Sequence, residues 1–269
     1  MLKNDIIKIC FIGNPNVGKS TLINRLINSN DLKTSKDPGT TKNIEERSLV
    51  WNKKKFIFLD TAGVYKKKNF NFTLLTKATR LSQIIILIID STIDRLEKIH
   101  KRLASHTIKV GKGLIIIFNK WDLVINKKST KKKMEKIVTN ALPQVDKNRI
   151  LFISALRDTK FNDILKDAIK IKSLLLHKVS TSSLNKWLKN AVKLNPPIKI
   201  KGKEIKFKYI AQTNTNPPTF TIFSNYPKKI SFSYKRFLEK QLKINFRMVD
   251  VPIFLKFAAT KNPYQLKKK

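Results

Sequence analysis

The residues best suited to chemistry are Gly13-Asn14-Pro15-Asn16-Val17-Gly18-Lys19-Ser20, followed by Thr21. Their spacing matches the phosphate-loop pattern of two glycines closed by Lys-Ser. Glycines at these positions let backbone N–H groups turn inward around phosphate oxygens. Lys19 would reach the β- and γ-phosphates of a nucleotide, and the Ser20 hydroxyl would join the shell of a Mg2+ ion. The chain has only 7 glycines, and Gly13, Gly18, Gly39 and Gly63 all fall in or beside this site.

The phosphate loop does not choose a base, but Asn119-Lys120-Trp121-Asp122 does. The Asp122 carboxylate can accept hydrogen bonds from the ring N–H and the exocyclic amine of guanine. Adenine offers no such donor pair, so the wrong base would leave the carboxylate unpaired. Lys120 can lie over the base plane and Asn119 can brace the loop. Ser154-Ala155 follows the next apolar run, where a backbone N–H could meet the guanine oxygen. Asp60-Thr61-Ala62-Gly63 places Asp60 to hold Mg2+ through water, and the Gly63 N–H to meet a γ-phosphate. In Asp37-Pro38-Gly39-Thr40-Thr41 a threonine can complete the Mg2+ shell, with Thr41 favoured and Thr40 the other candidate.

These groups need a scaffold that delivers them to one edge. The first 177 residues alternate short apolar runs with helical patterns, which predicts a mostly parallel α/β sheet. Strands are expected over 6–12, 44–51, 55–60, 84–90, 114–119 and 150–154, with 52–54 as a turn. Ile84 to Asp90 is apolar on both faces, as a central parallel strand should be. Helices are expected over 19–28, 74–82, 93–110, 130–141 and 162–176. In such sheets ligands sit beyond the carboxyl ends of the strands, where the phosphate loop, Asp60 to Gly63, Asn119 to Asp122 and Ser154-Ala155 all fall. The segments 31–43 and 63–73 show no period and read as mobile loops. His100 and His106 read as solvent-facing on a polar helix, Cys10 as core, and Trp121 and Trp187 as packing residues.

Composition changes near His177, and Val179-Ser180-Thr181-Ser182-Ser183 reads as a linker entering a helix cap. Domains are therefore expected at 1–177 and 178–269. Helix 184–194, strands 205–212 and 220–223, helix 234–242 and strand 251–258 give a small α+β unit, with 213–218 as the turn. This tail carries 21 basic and 3 acidic residues, a net +18, within a chain of net charge +39. Such excess attracts polyanions, and RNA is the favoured partner. The longest apolar run is six residues, 84–89, so neither a membrane span nor a secretory leader is expected. One cysteine and three histidines exclude a disulfide framework and a His-built zinc site, and a reducing cytoplasm fits.

The chain resembles the EngA/Der family of ribosome-assembly GTPases, specifically its second GTPase domain and C-terminal KH-like domain. The residues carrying the resemblance are 13–21, Pro38-Gly39-Thr40-Thr41-Lys42, Asp60-Thr61-Ala62-Gly63-Val64 and Asn119-Lys120-Trp121-Asp122-Leu123. In the tail they are Ser180 to Asn185, Asn195-Pro196-Pro197, Pro217-Pro218-Thr219-Phe220 and Ser233 to Glu239. The resemblance implies a P-loop GTPase fold followed by a KH-like domain. It also implies GTP/GDP and Mg2+ as ligands, and GTP hydrolysis coupled to late assembly of the large ribosomal subunit. Family members usually carry two tandem GTPase domains, and this chain carries one. The tail has no Gly-x-x-Gly nucleotide clamp, so contact through basic surface, or to protein, is expected.

Lys19, Thr41 and Gly63 are the candidate catalytic positions, and Ser20, Thr41 and Asp60 the candidate metal ligands. The nucleotide contacts are expected at 13–21, 60–64, Asn119, Lys120, Asp122, Ser154 and Ala155. Val64 stands where many GTPases place a water-positioning glutamine, so intrinsic turnover should be slow, roughly below one per minute. By resemblance to potassium-dependent GTPases, Asn16 either helps hold K+ or braces the loop. The protein should be monomeric off the ribosome. Competing readings are an Era-like GTPase of the small subunit and a guanine-nucleotide and RNA scaffold that does not hydrolyse GTP.

Overall fold

The computed structural model describes residues 6–28, 45–60, 65–66, 69–70, 72–143, 145–158, 161–199 and 202–259. The chain divides into two compact units, Met1–Ser173 and Leu174–Lys269.

Unit one is built on six strands: β1 (Ile6–Ile12), β2 (Glu45–Trp51), β3 (Lys54–Asp60), β6 (Ile84–Asp90), β7 (Gly113–Asn119) and β8 (Ile150–Phe152). Their order is β2-β3-β1-β6-β7-β8. All neighbours run parallel except β2, which pairs antiparallel with β3. A separate two-stranded hairpin joins β4 (Tyr65–Lys66) to β5 (Asn69–Phe70). β7 is buried along its whole length and β6 up to Asp90, the pattern of strands covered on both faces.

The helices are α1 (Lys19–Asn28), α2 (Phe72–Leu81), α3 (Lys98–Lys109), α4 (Lys127–Ala141) and α5 (Asn162–Leu175). In α1 the apolar residues Leu22, Ile23, Leu26 and Ile27 recur at helical spacing and are buried.

Several boundaries differ from the sequence expectation. The β2–β3 turn contracts to Asn52-Lys53, both left-handed at φ 48° and 60°, and Lys54 joins β3. Two left-handed residues match the twist of a tight hairpin. α3 begins at Lys98 rather than Ile93. The Thr92 N–H turns back to the Asp90 carboxylate at 3.0 Å, and the Glu97 N–H donates to His100 Nδ1 at 3.3 Å, capping the helix there. That corrects the reading of His100, which is 2% exposed. It shares the buried face of Leu103, Ala104 and Thr107, at the helical spacing that its polarity disguised. His106 is half-buried. β8 ends at Phe152 because the Ser154 N–H leaves the ladder for the Asp158 carboxylate, 2.7 Å away. Cys10 is fully buried, and burial pushes its thiol far above the ordinary range.

Unit two has the order α6 (Thr181–Leu194), β9 (Phe207–Thr215), β10 (Pro218–Ser224), α7 (Phe232–Asn245), β11 (Phe254–Ala259). The sheet order is β11-β10-β9, with β10 antiparallel to β9 and parallel to β11. The turn expected at 213–218 contracts to Asn216-Pro217, since Pro218 pairs with Thr215. β11 starts late because Pro252 has no N–H for a ladder, although Val251 and Ile253 are buried. Ser180 caps α6 and Ser231 caps α7, each accepting from the N–H three residues on.

Two tail residues act as struts. The Asn185 amide donates to the Ile210 carbonyl at 3.2 Å and accepts from the Ile210 N–H at 3.0 Å, covering the free edge of β9. The Tyr234 hydroxyl donates to the Asn195 carbonyl at 2.7 Å. Burial pushes its pKa up to about 12, so it remains a donor. Trp187 is buried as expected. Among the described residues no helix is long and apolar enough to cross a membrane.

Candidate functional site

The phosphate loop joins β1 to α1. A Cβ on Gly13 would lie 2.3 Å from the Ile88 carbonyl oxygen. The loop therefore lies against the backbone of β6, and only a glycine fits. Asn16 is left-handed at φ 61° and Gly18 at φ 93°. Left-handed turns of this kind can aim successive N–H groups into one concavity, which is the requirement for an anion. The Lys19 ammonium lies across the loop, 3.1 Å from the Gly13 carbonyl and 2.8 Å from that of Asn14. Burial lowers its pKa from the ordinary lysine value, and the Asp60 carboxylate partly offsets that.

Ser20, at the start of α1, donates from Oγ to Asp60 Oδ2 at 2.7 Å. Asp60 ends β3 and is buried. Two hard oxygen donors brought together beside a phosphate loop suit Mg2+, which takes few protein ligands and completes its shell with phosphate and water. The expected partners Thr41 (or Thr40), Thr61, Ala62, Gly63 and Val64 lie outside the described residues.

On the base side, Asn119 ends β7 and is buried. Its Nδ2 donates to the Val17 carbonyl at 2.7 Å, and its Oδ1 accepts from the Ala155 N–H at 2.8 Å. One side chain thus ties the phosphate loop to the Ser154-Ala155 turn. Lys120 is left-handed at φ 63°, and its ammonium is paired with Asp90 Oδ2 at 2.7 Å. A hydrogen bond from Ser154 holds the Asp122 carboxyl below the ordinary range, helped by the charges of Arg157 and Lys127. It is thereby kept ionised as an acceptor. Trp121 packs on Phe152 with ring centroids 4.6 Å apart.

Four supporting residues escaped the sequence reading. Asp90 accepts from Lys120 and from the Thr92 N–H and hydroxyl. Asp158 holds the Ser154 N–H. Arg25, on α1, donates to the carbonyls of Ala155 and Leu156. Glu97 accepts from the Asn14 amide at 3.0 Å. Asp90 carried a signal, being an acidic strand end in register with Asn119. The other three belong to no motif.

Residues 8–120 match the family of 50S ribosome-binding GTPases, and residues 178–258 match the KH-domain-like C-terminal family of EngA bacterial GTPase enzymes. GTPase Der of Rickettsia akari is 35% identical over 275 residues, which cover 98% of this chain and 61% of that protein. GTPase Der of Mycoplasma capricolum is 37% identical over 274 residues, covering 97% of this chain and again 61% of the relative. The chain thus spans less than two thirds of the length of these curated relatives. Aquifex aeolicus Era bound to GDP and aluminium fluoride shares the fold at 19% identity and TM-score 0.50, with 95% of this chain and 93% of that one covered. Era bound to MgGDPNP and a segment of 16S ribosomal RNA does so at 18% and 0.50, covering 98% and 96%.

Proposed function

We propose that this chain, whose residues 8–120 match the 50S ribosome-binding GTPases and whose residues 178–258 match the C-terminal KH-domain-like family of EngA enzymes, binds GTP with Mg2+, hydrolyses it to GDP and phosphate, and serves assembly of the large ribosomal subunit in the cytoplasm. The observation that carries the reading is the Asn119 bridge, which couples the phosphate loop to the Ser154-Ala155 turn through two short hydrogen bonds. A nucleotide spanning both would find its phosphate and base subsites already registered.

Gly13 to Thr21 cradle the phosphates, and the Lys19 ammonium exchanges its two carbonyl partners for the β- and γ-phosphate oxygens. Ser20 and Asp60 would hold Mg2+, with Thr41 completing the shell, and the ion when bound would supply positive charge against the charge developing on the phosphates. Asp122 accepts from guanine, Lys120 covers the base plane, and the Ala155 region meets the guanine oxygen. Gly63 would present its N–H to the γ-phosphate, with Thr61, Ala62 and Val64 beside it. Valine at 64 cannot orient water, so turnover is slow until the ribosomal particle, K+ beside Asn16, or both supply the missing stabilisation.

The description of the family matched by residues 8–120, 50S ribosome-binding GTPase, supports the large subunit. The Era structures share the fold, and a small-subunit role is the second reading. Co-sedimentation of the purified chain with separated subunits tests the choice. Retention on large subunits with a non-hydrolysable GTP analogue, and release with GDP, is expected. Retention on small subunits alone would transfer the reading to the Era-like class.

A further inference from the structure

The outward face of α7 combines an exposed aromatic ring with unneutralised cations. Phe232 opens the helix and is 75% exposed. The Arg236 guanidinium lies 5.7 Å from the centre of its ring. Residues 232, 236 and 240 share one helical stripe and all three are exposed. Tyr234, Leu238 and Leu242, two positions on from each, carry the buried face. Lys228 and Lys229 precede the helix and are also exposed. Among the described residues none of these four cations has a carboxylate partner. The helix's own Glu239 is paired with Lys243 at 3.4 Å.

Among the described residues nothing packs on this arrangement or pairs with it. A phenylalanine here buries little, and the packed side of α7 is complete without it. A ring with a guanidinium on its face can stack an unpaired base, while neighbouring ammonium groups meet the flanking phosphates. The surrounding unit has a net +18, which selects a polyanion. Double-stranded RNA keeps its bases stacked inward and offers nothing for an aromatic ring to hold.

We propose that the Phe232-Arg236-Lys240 stripe, with Lys228 and Lys229, is a binding surface for a single-stranded segment of RNA. It rests on the ribosome-assembly reading only for the source of that RNA. The surface takes the place of the absent Gly-x-x-Gly clamp by a different mechanism, stacking plus charge rather than backbone capture.

The test uses the full chain and a fluorescently labelled single-stranded oligoribonucleotide, with a duplex of equal length alongside. Phe232→Ala should weaken single-strand binding roughly 5- to 150-fold, the range of one base–aromatic stack, and leave the salt dependence unchanged. Phe232→Trp should restore it. Arg236→Ala with Lys240→Ala should weaken binding and lower the slope of log affinity against log salt by about 0.7 for each phosphate no longer neutralised. The single strand should bind more tightly than the duplex, and polyglutamate should compete poorly. Equal single-strand affinity for Phe232→Ala and the parent would overturn the proposal, as would polyglutamate competing as well as RNA, which would mark a docking face for acidic protein. GTP turnover and subunit co-sedimentation are measured on the same preparations. If both persist while Phe232→Ala has no effect on the oligonucleotide, the stripe falls and the assembly reading stands. If the oligonucleotide binds through Phe232 but no subunit is retained, the stripe stands and the assembly reading falls.

Discussion

A Cβ on Gly18 would lie 2.3 Å from Asn119 Nδ2. The last glycine of the phosphate loop and the asparagine that opens the base-side motif therefore share one space, although they stand 101 positions apart in the chain. Asn119 Nδ2 fills that gap to reach the Val17 carbonyl. Neither residue type can be exchanged alone.

Asn119→Ala removes two buried hydrogen bonds and strands the Val17 carbonyl and the Ala155 N–H. The cost should be about 2–4 kcal/mol, read as a fall of roughly 30- to 1000-fold in guanine-nucleotide affinity by fluorescent-analogue titration. Gly18→Ala should be at least as severe, because its φ of 93° strains any L side chain as well.

Asp122→Asn should change the base selected rather than abolish binding. An amide presents one acceptor and two donors where the carboxylate presents acceptors only. Guanine then loses a partner, while xanthine, with a carbonyl in place of the amine, gains one. Competition of GTP and XTP for the variant should reverse in favour of XTP.

Asp90→Asn weakens the 2.7 Å pair that holds the Lys120 ammonium. A positioning residue of this kind should lower guanine-nucleotide affinity by roughly 10- to 150-fold, the scale of a charge-assisted hydrogen bond, with little effect on melting temperature.

Burial lowers the pKa of His100, and of His106, below the ordinary histidine value of about 6.5. As pH falls through that value the unfolded chain takes up protons first, so the folded GTPase domain loses stability, until the lowered folded-state values are passed. Stability is thus full above about pH 6.5 and declines in mild acid. Thermal melts between pH 7.5 and 5.5 should show the decline. His100→Gln, which keeps a side-chain acceptor three residues after the cap, should flatten it.

Much of the site was legible because strand-end motifs encode their own placement. Lys19, Ser20, Asp60, Asn119 and Asp122 each follow a run whose period or apolarity announces a parallel strand, and all five arrive at one sheet edge. The order of elements in the basic tail was legible for the same reason. What stayed hidden were contacts made by residues with no local signature. Arg25 reaches across the chain to the turn at 155–156 and Glu97 to Asn14, while Asp158, only four residues beyond Ser154, fixes where β8 ends. His100 misled because a polar residue at a buried helical position looks the same, in one dimension, as one facing water. The start of α3 was misplaced with it, since the cap that begins the helix is made by the His100 ring itself.

One GTPase domain joined to a KH-like domain should form a working, ribosome-responsive GTPase. Steady-state phosphate release by the purified chain in K+ buffer, with and without large ribosomal subunits, tests it most directly, with Lys19→Ala as control and Na+ replacing K+ in a parallel series. Slow intrinsic turnover that rises on adding large subunits, and disappears in the Lys19→Ala chain, is predicted. A rate higher in K+ than in Na+ would assign Asn16 to the cation, and equal rates would leave it a brace. Tight GTP and GDP binding without phosphate release under any of these conditions would contradict the account and make the chain a guanine-nucleotide-binding scaffold.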